Sequence, residues 1–218
     1  MTDNRRMTEL EPSLYRLLRV VLNPFFRAMW LKKVEGLENV PTNGGVLLVS
    51  NHESYLDFLI VPVSGCRLPR YMAGEVFFDK PVIGWAFRKM GFIPVDRAKT
   101  ANTSAVTSAL KYMKRGGVLG IFPEGTRSPN GKLQPAHEGV GFLAHMSEVP
   151  VVPIAVIGTY EAWAKGDKRP KASPCSVRFG TPMRFCKADL KRDRSVAHET
   201  TRTIMQAVAA LAGEEYPW

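Results

Sequence analysis

Three short apolar runs, Val46–Ser50 (VLLVS), Gly117–Phe122 (GVLGIF) and Val151–Ile157 (VVPIAVI), constrain this chain more than any other feature of its sequence. They are too short for helices and carry no charged residue, so each reads as a strand buried inside a sheet. Gly91–Val95 and Cys175–Phe179 add two weaker β-rich runs. Helical spacing falls between and after them, at Tyr55–Val63, at Thr100–Lys114 through Val106, Leu110 and Met113, and at Val196–Leu211. Strands alternating with helices predict an α/β fold in which a mixed, largely buried sheet is flanked by helices. A length of 218 residues fits one such domain.

The segment Pro12–Lys33 has a different character. Leu14, Leu17, Leu18, Val21, Leu22, Phe25, Met29 and Trp30 fall near one helical face, and Arg16, Arg19, Arg27, Lys32 and Lys33 supply the basic remainder. Pro24 predicts a kink or division into two short N-terminal amphipathic helices. A basic helix with Phe and Trp on its apolar side suits a lipid interface, or else packs on its own domain. The longest stretch free of Asp, Glu, Lys and Arg is Asn39–His52, fourteen residues, whereas a spanning helix needs about 20 apolar residues. Asp3, Arg5, Arg6, Glu9 and Glu11 interrupt any leader-like apolar core, so the expected location is cytoplasmic, peripheral on the inner face of the cell membrane.

Thirty Lys and Arg against twenty Asp and Glu leave a formal charge of +10, which favours anionic partners. Nucleic acid is not expected among them, because no RNP, zinc-finger or recognition-helix signature accompanies the charge. Cys66, Cys175 and Cys186 are odd in number and lack CxxC spacing, so neither a disulfide framework nor a zinc site is expected. His137, His145 and His198 have no spacing that would join His52 in a metal site.

Chemistry concentrates where the strands end. Asn51-His52-Glu53-Ser54-Tyr55-Leu56-Asp57 follows the first apolar run and leads into a helix, the position at which open α/β sheets build sites. If Ser54 caps that helix, Asp57 stands at its third position and reaches back toward the cap. His52 can then receive the Asp57 carboxylate on one ring nitrogen and turn the other toward a hydroxyl as a general base. The plain alternative is that Ser54 and Asp57 only cap the helix. Phe122-Pro123-Glu124-Gly125-Thr126-Arg127-Ser128 follows the second run. Gly125 there permits close backbone approach or positive φ, and Thr126, Arg127 and Ser128 offer donors to an oxyanion. Arg97, just beyond Gly91–Val95, binds phosphate or pairs with Asp96. The phosphate loop of NTPases and the GxSxG context of a serine nucleophile are both absent from the sequence.

Together these segments resemble the glycerolipid phosphate acyltransferases of the 1-acyl-glycerol-3-phosphate acyltransferase type. Asn51, His52, Ser54 and Asp57 match the NHxSxxD box; Gly91 to Arg97 match the second box; Phe122 to Ser128 match FPEGTRS in full; and Val151 to Val156 match the apolar box with a central proline. The amphipathic pattern sets residues 1–33 apart as a helical membrane-contact segment, and the resemblance implies an acyltransferase domain over 34–218. It further implies acyl transfer in phospholipid biosynthesis from a thioester, acyl-CoA or acyl carrier protein, to a hydroxyl of a phosphorylated glycerol. His52 would be the base and Asp57 its partner, with Arg97, Glu124, Gly125, Thr126 and Arg127 at the acceptor. No metal and no bound cofactor are implied. Gly74-Glu75 departs from the family, which often carries lysine there, leaving glycerol 3-phosphate, a lysophospholipid or a glycolipid as alternative acceptors. A noncatalytic basic module for membrane or nucleic acid is the remaining alternative.

Overall fold

The computed structural model describes residues 12–96, 102–193 and 195–218. Seven strands form one sheet: β1 (Leu31–Glu35), β2 (Val46–Ser50), β3 (Arg70–Gly74), β4 (Ile93–Val95), β5 (Val118–Ile121), β6 (Val151–Ile157) and β7 (Cys175–Phe179). Their order is β1-β7-β6-β2-β5-β3-β4. The most apolar runs take the middle because only there are both faces covered. Every residue of β2 is buried, and it pairs in parallel with β5 (Val46↔Val118) and with β6 (Leu47↔Val151). Strand β3 continues the parallel arrangement to β5 and β4. Strand β7 runs antiparallel to β6 and parallel to β1. The carboxyl ends of β2 to β6 therefore share one edge of a mixed sheet, and the amino end of β1 arrives at that same edge.

Alternating side chains of the strands fill two layers. Leu47, Val49, Leu119 and Val151 face α4 (Thr103–Lys114), α5 (Gly139–Ser147) and α8 (Val196–Ala212). Val46, Leu48, Val152, Ile154 and Val156 face α2 (Asp57–Val63), together with Phe26 and Trp30. A third, aromatic cluster of Tyr15, Tyr71, Phe78 and Phe92, with Phe58 and Phe87 against it, joins α1 (Ser13–Met29), α2 and α3 (Pro81–Met90). Two short helices, α6 (Thr159–Trp163) and α7 (Lys187–Arg192), complete the described elements apart from 3-10 turns. No described helix is long and apolar enough to cross a membrane.

The segment Pro12–Lys33 departs from expectation in two ways. Pro24 lies inside one continuous helix, α1, in place of dividing two. Pro24 and Val20 are on the exposed side, where water can take the carbonyl left without an amide donor, while Leu22 and Phe26 hold both halves on the same inner partners. Residues 31–35, read in part as the end of that helix, form β1, so the expected boundary between Lys33 and Val34 falls inside a strand. The Trp30 carbonyl accepts the Cys175 amide at 2.8 Å, which starts the β1–β7 ladder before the charged LKKVE sequence is reached. Residues 1–11 of the expected membrane-contact segment lie outside the described residues.

The crossing of α5 and α8 is close enough to require glycine. A β-carbon on Gly141 would lie 2.0 Å from the Ala197 carbonyl oxygen and 2.8 Å from Thr201 Oγ1, whereas one on Gly139, in the same helix, meets nothing within 4 Å. Gly141→Ala should therefore lower stability by about 1–3 kcal/mol through overpacking, and Gly139→Ala should leave it unchanged or raise it by a few tenths. Urea denaturation of the two variants tests the contrast. Equal stabilities would mean the helices separate without cost.

Candidate active site

The site begins with the end of β2. The Asn51 side chain pairs with the backbone of β6 as a strand residue would, accepting from Val156 N and donating to Val156 O, both at 2.8 Å. The chain then turns through residues 52–56 into α2, and four donors converge on the Asp57 carboxylate. Glu53 N, Ser54 N and His52 Nδ1 each lie 2.8 Å from Oδ2, and the Thr159 hydroxyl donates to Oδ1 at 2.6 Å. Asp57 thus reaches back to Ser54 as the spacing predicts, although the helix itself begins at Asp57. The Ser54 hydroxyl accepts from Leu56 N at 3.2 Å and donates to the Trp163 carbonyl at 2.8 Å, fixing α6 against the loop.

His52 is held on three sides. Its ring stacks on Phe122 with centroids 4.2 Å apart and planes at 18°, and Phe122 stacks in turn on Tyr71 at 5.3 Å and 3°. Its amide donates to Glu124 Oε1 at 2.9 Å, and its carbonyl accepts from Ser128 N at 2.7 Å. The Asp57 side chain is fully buried while the His52 side chain stays 16% exposed, so the carboxylate is the inner member of the pair and the imidazole the outer one. Because a carboxylate only accepts hydrogen bonds, Nδ1 carries the proton and Nε2 is left as acceptor. A proton taken at Nε2 would be stabilised by the buried carboxylate.

The remaining sequence candidates separate by what they touch. Glu124 is buried, and its second oxygen accepts Gln134 N at 3.2 Å, so its carboxyl ties three backbone segments together. Gly125 adopts φ +69° in a turn closed by its amide on the Phe122 carbonyl at 3.0 Å. Thr126 is exposed and takes a 3.3 Å contact from Lys165 Nζ. The Arg127 guanidinium carbon lies 3.5 Å above the Tyr55 ring, and Tyr55 meets Trp163 edge-on. Arg97 lies outside the described residues. Thr159 and Phe122 hold the pair directly and Tyr71 backs Phe122, and none of the three is among the site residues the sequence points to. Thr159 had one usable signal, since it stands two positions beyond an apolar run, at the edge where His52 stands.

Burial sets the protonation around the pair. Glu53 is pushed up to about 8 by burial first and by the neighbouring Asp57 charge second, against the Asn51 amide that lowers it. Glu124 is also pushed up to about 8 by burial, although the His52 and Gln134 amides pull the other way. Among the described residues no group of three or more His, Cys, Asp or Glu is placed to hold a metal ion. All three cysteines are free thiols; Cys66 and Cys175 are buried, and burial pushes Cys175 up to about 12. A cleft of about 750 Å³, lined by Phe142, Met146, Leu190 and neighbours on α5, α7 and α8, shares no lining residue with the His52 loops. The cluster of titratable groups therefore locates the site better than this cleft does.

The fold and this constellation define an α/β protein with a carboxylate-backed imidazole at the open edge of its sheet. Residues 32–157 match the model of the Acyltransferase family, and the chain belongs to that family. It is 32% identical over 151 residues to the chloroplastic 1-acyl-sn-glycerol-3-phosphate acyltransferase BAT2 of Brassica napus, covering 68% of this chain and 42% of that protein. A 1-acyl-sn-glycerol-3-phosphate acyltransferase of Bacillus subtilis is 30% identical over 154 residues, covering 69% of this chain and 73% of the other. This chain thus spans about two fifths of its plant relative and most of its bacterial one. The crystal structure of the 1-acyl-sn-glycerophosphate acyltransferase PlsC from Thermotoga maritima superposes with a TM-score of 0.71 at 23% identity, over 94% of this chain and 79% of that one. At that identity the likeness establishes the fold.

The raised Glu53 carboxyl makes stability depend on pH. Between its unfolded value, 4.5, and its folded value, about 8, the folded chain keeps a proton that the unfolded chain has released. Stability therefore declines as pH rises through that window and levels off above about 8. Glu53→Gln keeps an acceptor for Asn51 without a charge, so it should flatten the decline and raise stability at pH 8 by at least about 1 kcal/mol. Glu124 contributes a slope of the same sign, which the variant leaves in place. Urea unfolding of both proteins at pH 5 and pH 8 checks this, and parallel pH profiles would contradict it.

Proposed function

We propose that this protein transfers a fatty acyl group from a thioester to the free hydroxyl of 1-acyl-glycerol 3-phosphate, in phospholipid biosynthesis. The observation that carries the reading is the 2.8 Å contact between His52 Nδ1 and the buried Asp57, with the His52 side chain still 16% exposed, in a chain of the acyltransferase family. The names of the Brassica and Bacillus relatives support the acceptor. In this mechanism the acceptor hydroxyl gives its proton to His52 Nε2 as its oxygen attacks the thioester carbonyl. The tetrahedral intermediate then collapses, the C–S bond breaks, and the imidazolium returns the proton to the departing thiolate. Asp57 stabilises the imidazolium between the two transfers, and no acyl-enzyme is required.

Arg127 suits the acceptor phosphate because a guanidinium presents paired donors to phosphate oxygens, and its stack on Tyr55 fixes the plane of that fork. Arg97 is assigned the same partner from its place in the second sequence box. Thr126 and Gly125 shape the acceptor rim, whereas Glu124 acts by holding the His52 and Gln134 amides. The donor is acyl-CoA or acyl carrier protein; both are strongly anionic and suit a chain of charge +10. Helix α1 holds Leu17, Val20, Val21, Phe25 and Met29 toward solvent, and its basic residues suit an anionic membrane surface on the cytoplasmic side.

Turnover of labelled acyl thioesters with detergent-dispersed 1-acyl-glycerol 3-phosphate tests the assignment. His52→Ala should lower kcat roughly 10²- to 10⁴-fold with the fold intact, and Asp57→Asn should be comparably severe because an amide cannot stabilise the imidazolium. A folded His52→Ala protein with near-normal turnover would overturn the mechanism. Arg127→Ala should chiefly raise KM for the phosphorylated acceptor and leave the thioester KM nearly unchanged. An equal rise in both would move phosphate binding elsewhere.

A further inference from the structure

We propose that α3 and the 3-10 turn before it (Glu75–Phe77) are a second membrane-contact element, seated with the carboxyl end of α1 on the surface of an anionic bilayer. The proposal rests on the reading of this protein as one that works at a lipid surface, and it assigns that surface to residues outside the N-terminal segment. Val76 is 59% exposed, Val82 78%, Ile83 40% and Trp85 52%. Four large apolar side chains thus face water within ten positions, an arrangement unfavourable for a protein surface unless something covers it.

The inner side of α3 is firmly packed, so these residues cannot turn inward. Phe87 makes ring contacts with Phe58, Phe78 and Phe92, and Arg88 Nη1 donates to the Phe78 carbonyl at 2.7 Å. Ala86, Phe87 and Met90 share their aromatic cluster with Tyr15 and Leu18 of α1, so α1 and α3 lie on the same face of the sheet.

Sheet topology then decides where the exposed residues stand relative to the site. Strand β3 is parallel to β5, which is parallel to β2, so Val76 and the first turns of α3 leave the sheet at the edge from which the His52 loop also leaves. Strand β1 runs the opposite way, through its parallel pairing with β7 and the antiparallel pairing of β7 with β6. The last turn of α1, with exposed Phe25 and Met29, therefore arrives at that edge too. Two apolar patches on one face thus stand at the catalytic edge on either side of β2.

Charge selects the occupant. No acidic residue stands between Pro12 and Val34, where Arg16, Arg19, Arg27, Lys32 and Lys33 are found, and Lys80, Arg88 and Lys89 outnumber Glu75 and Asp79 around α3. Arg19, Arg27 and Arg88 also donate to backbone carbonyls of the domain, and exposed apolar residues, a tryptophan among them, on net-basic segments match the interface of an anionic bilayer.

The test uses the full chain and vesicles of phosphatidylglycerol and phosphatidylcholine. Trp85→Ser and the pair Val82→Ser/Ile83→Ser should each weaken vesicle partitioning roughly tenfold or more, the effect of withdrawing a large side chain from an apolar phase. Brominated lipid should quench part of the tryptophan emission, and Trp85→Phe should remove that part while vesicle binding is largely kept. Vesicle binding at wild-type strength by folded serine variants, or quenching unchanged in Trp85→Phe, would overturn the proposal. So would a concentration-dependent dimer that the serine variants abolish without change in vesicle binding, since the patch would then be covered by a second copy of the chain. Turnover on detergent-dispersed acceptor, measured in parallel, separates the two readings. Its absence in the wild-type protein refutes the acyl-transfer assignment, while vesicle binding alone decides the role of α3.

Discussion

The parallel pairing of β2 with β5 on one side and β6 on the other is the constraint on which the rest of the structure depends. It is sustained by complete burial of β2, which leaves no backbone group of that strand free to seek water. Parallel neighbours end at the same edge, so the loops after residues 50, 121 and 157 must emerge together. That is why His52, Glu124 and Thr159, far apart in sequence, lie in one hydrogen-bonded group. The Asn51 amide extends the pairing by one residue on the β6 side, and the His52–Ser128 and His52–Glu124 contacts extend it on the β5 side. The His52 loop is in effect a continuation of the sheet.

Within that group the electrostatics are asymmetric. Asp57 alone touches the imidazole, while Glu53 and Glu124 stand close enough to feel its charge, and charge on all three carboxyl groups would repel at low dielectric. Burial resolves the conflict by pushing Glu53 and Glu124 up to about 8. The Asp57 carboxylate is served by two backbone amides, a threonine hydroxyl and the His52 ring. Glu53 and Glu124 act as neutral hydrogen-bonding groups around it, at the expense of stability when the pH rises. A site that concentrates negative charge on a single oxygen pair behind the imidazole is suited to stabilising an imidazolium briefly and releasing it again.

The same topology governs how the site meets its surroundings. Both α1 and α3 bury one side against a shared aromatic cluster and hold large apolar residues outward on the other. A helix with two apolar sides is unusual for a surface helix, and its cost in water is offset only when the second side is covered. The strand directions bring parts of both helices to the edge that carries His52. The partly exposed His52 and the exposed apolar residues of the two helices are therefore linked through the sheet.

Elements whose signal is local follow from the order of residues alone. Val46–Ser50, Val151–Ile157 and Cys175–Phe179 are strands with the bounds their apolar runs indicate, and the His52–Asp57 contact was legible because five positions across a helix start bring the two side chains together. Strand β1 was not legible, since LKKVE carries as much charge as apolar surface and becomes a strand only through β7, which lies more than 140 positions away. Pro24 does not divide α1: propensity counts a missing amide and cannot count the inner partners that hold both halves of the helix. Thr159 offers only its place two positions beyond an apolar run, Phe122 only its place at the head of a sequence box, and Tyr71 no local signal. The contacts of Thr159 with Asp57, of Phe122 with His52 and of Tyr71 with Phe122 exist only after strands distant in sequence pair side by side, and pairing of that kind is decided by tertiary packing.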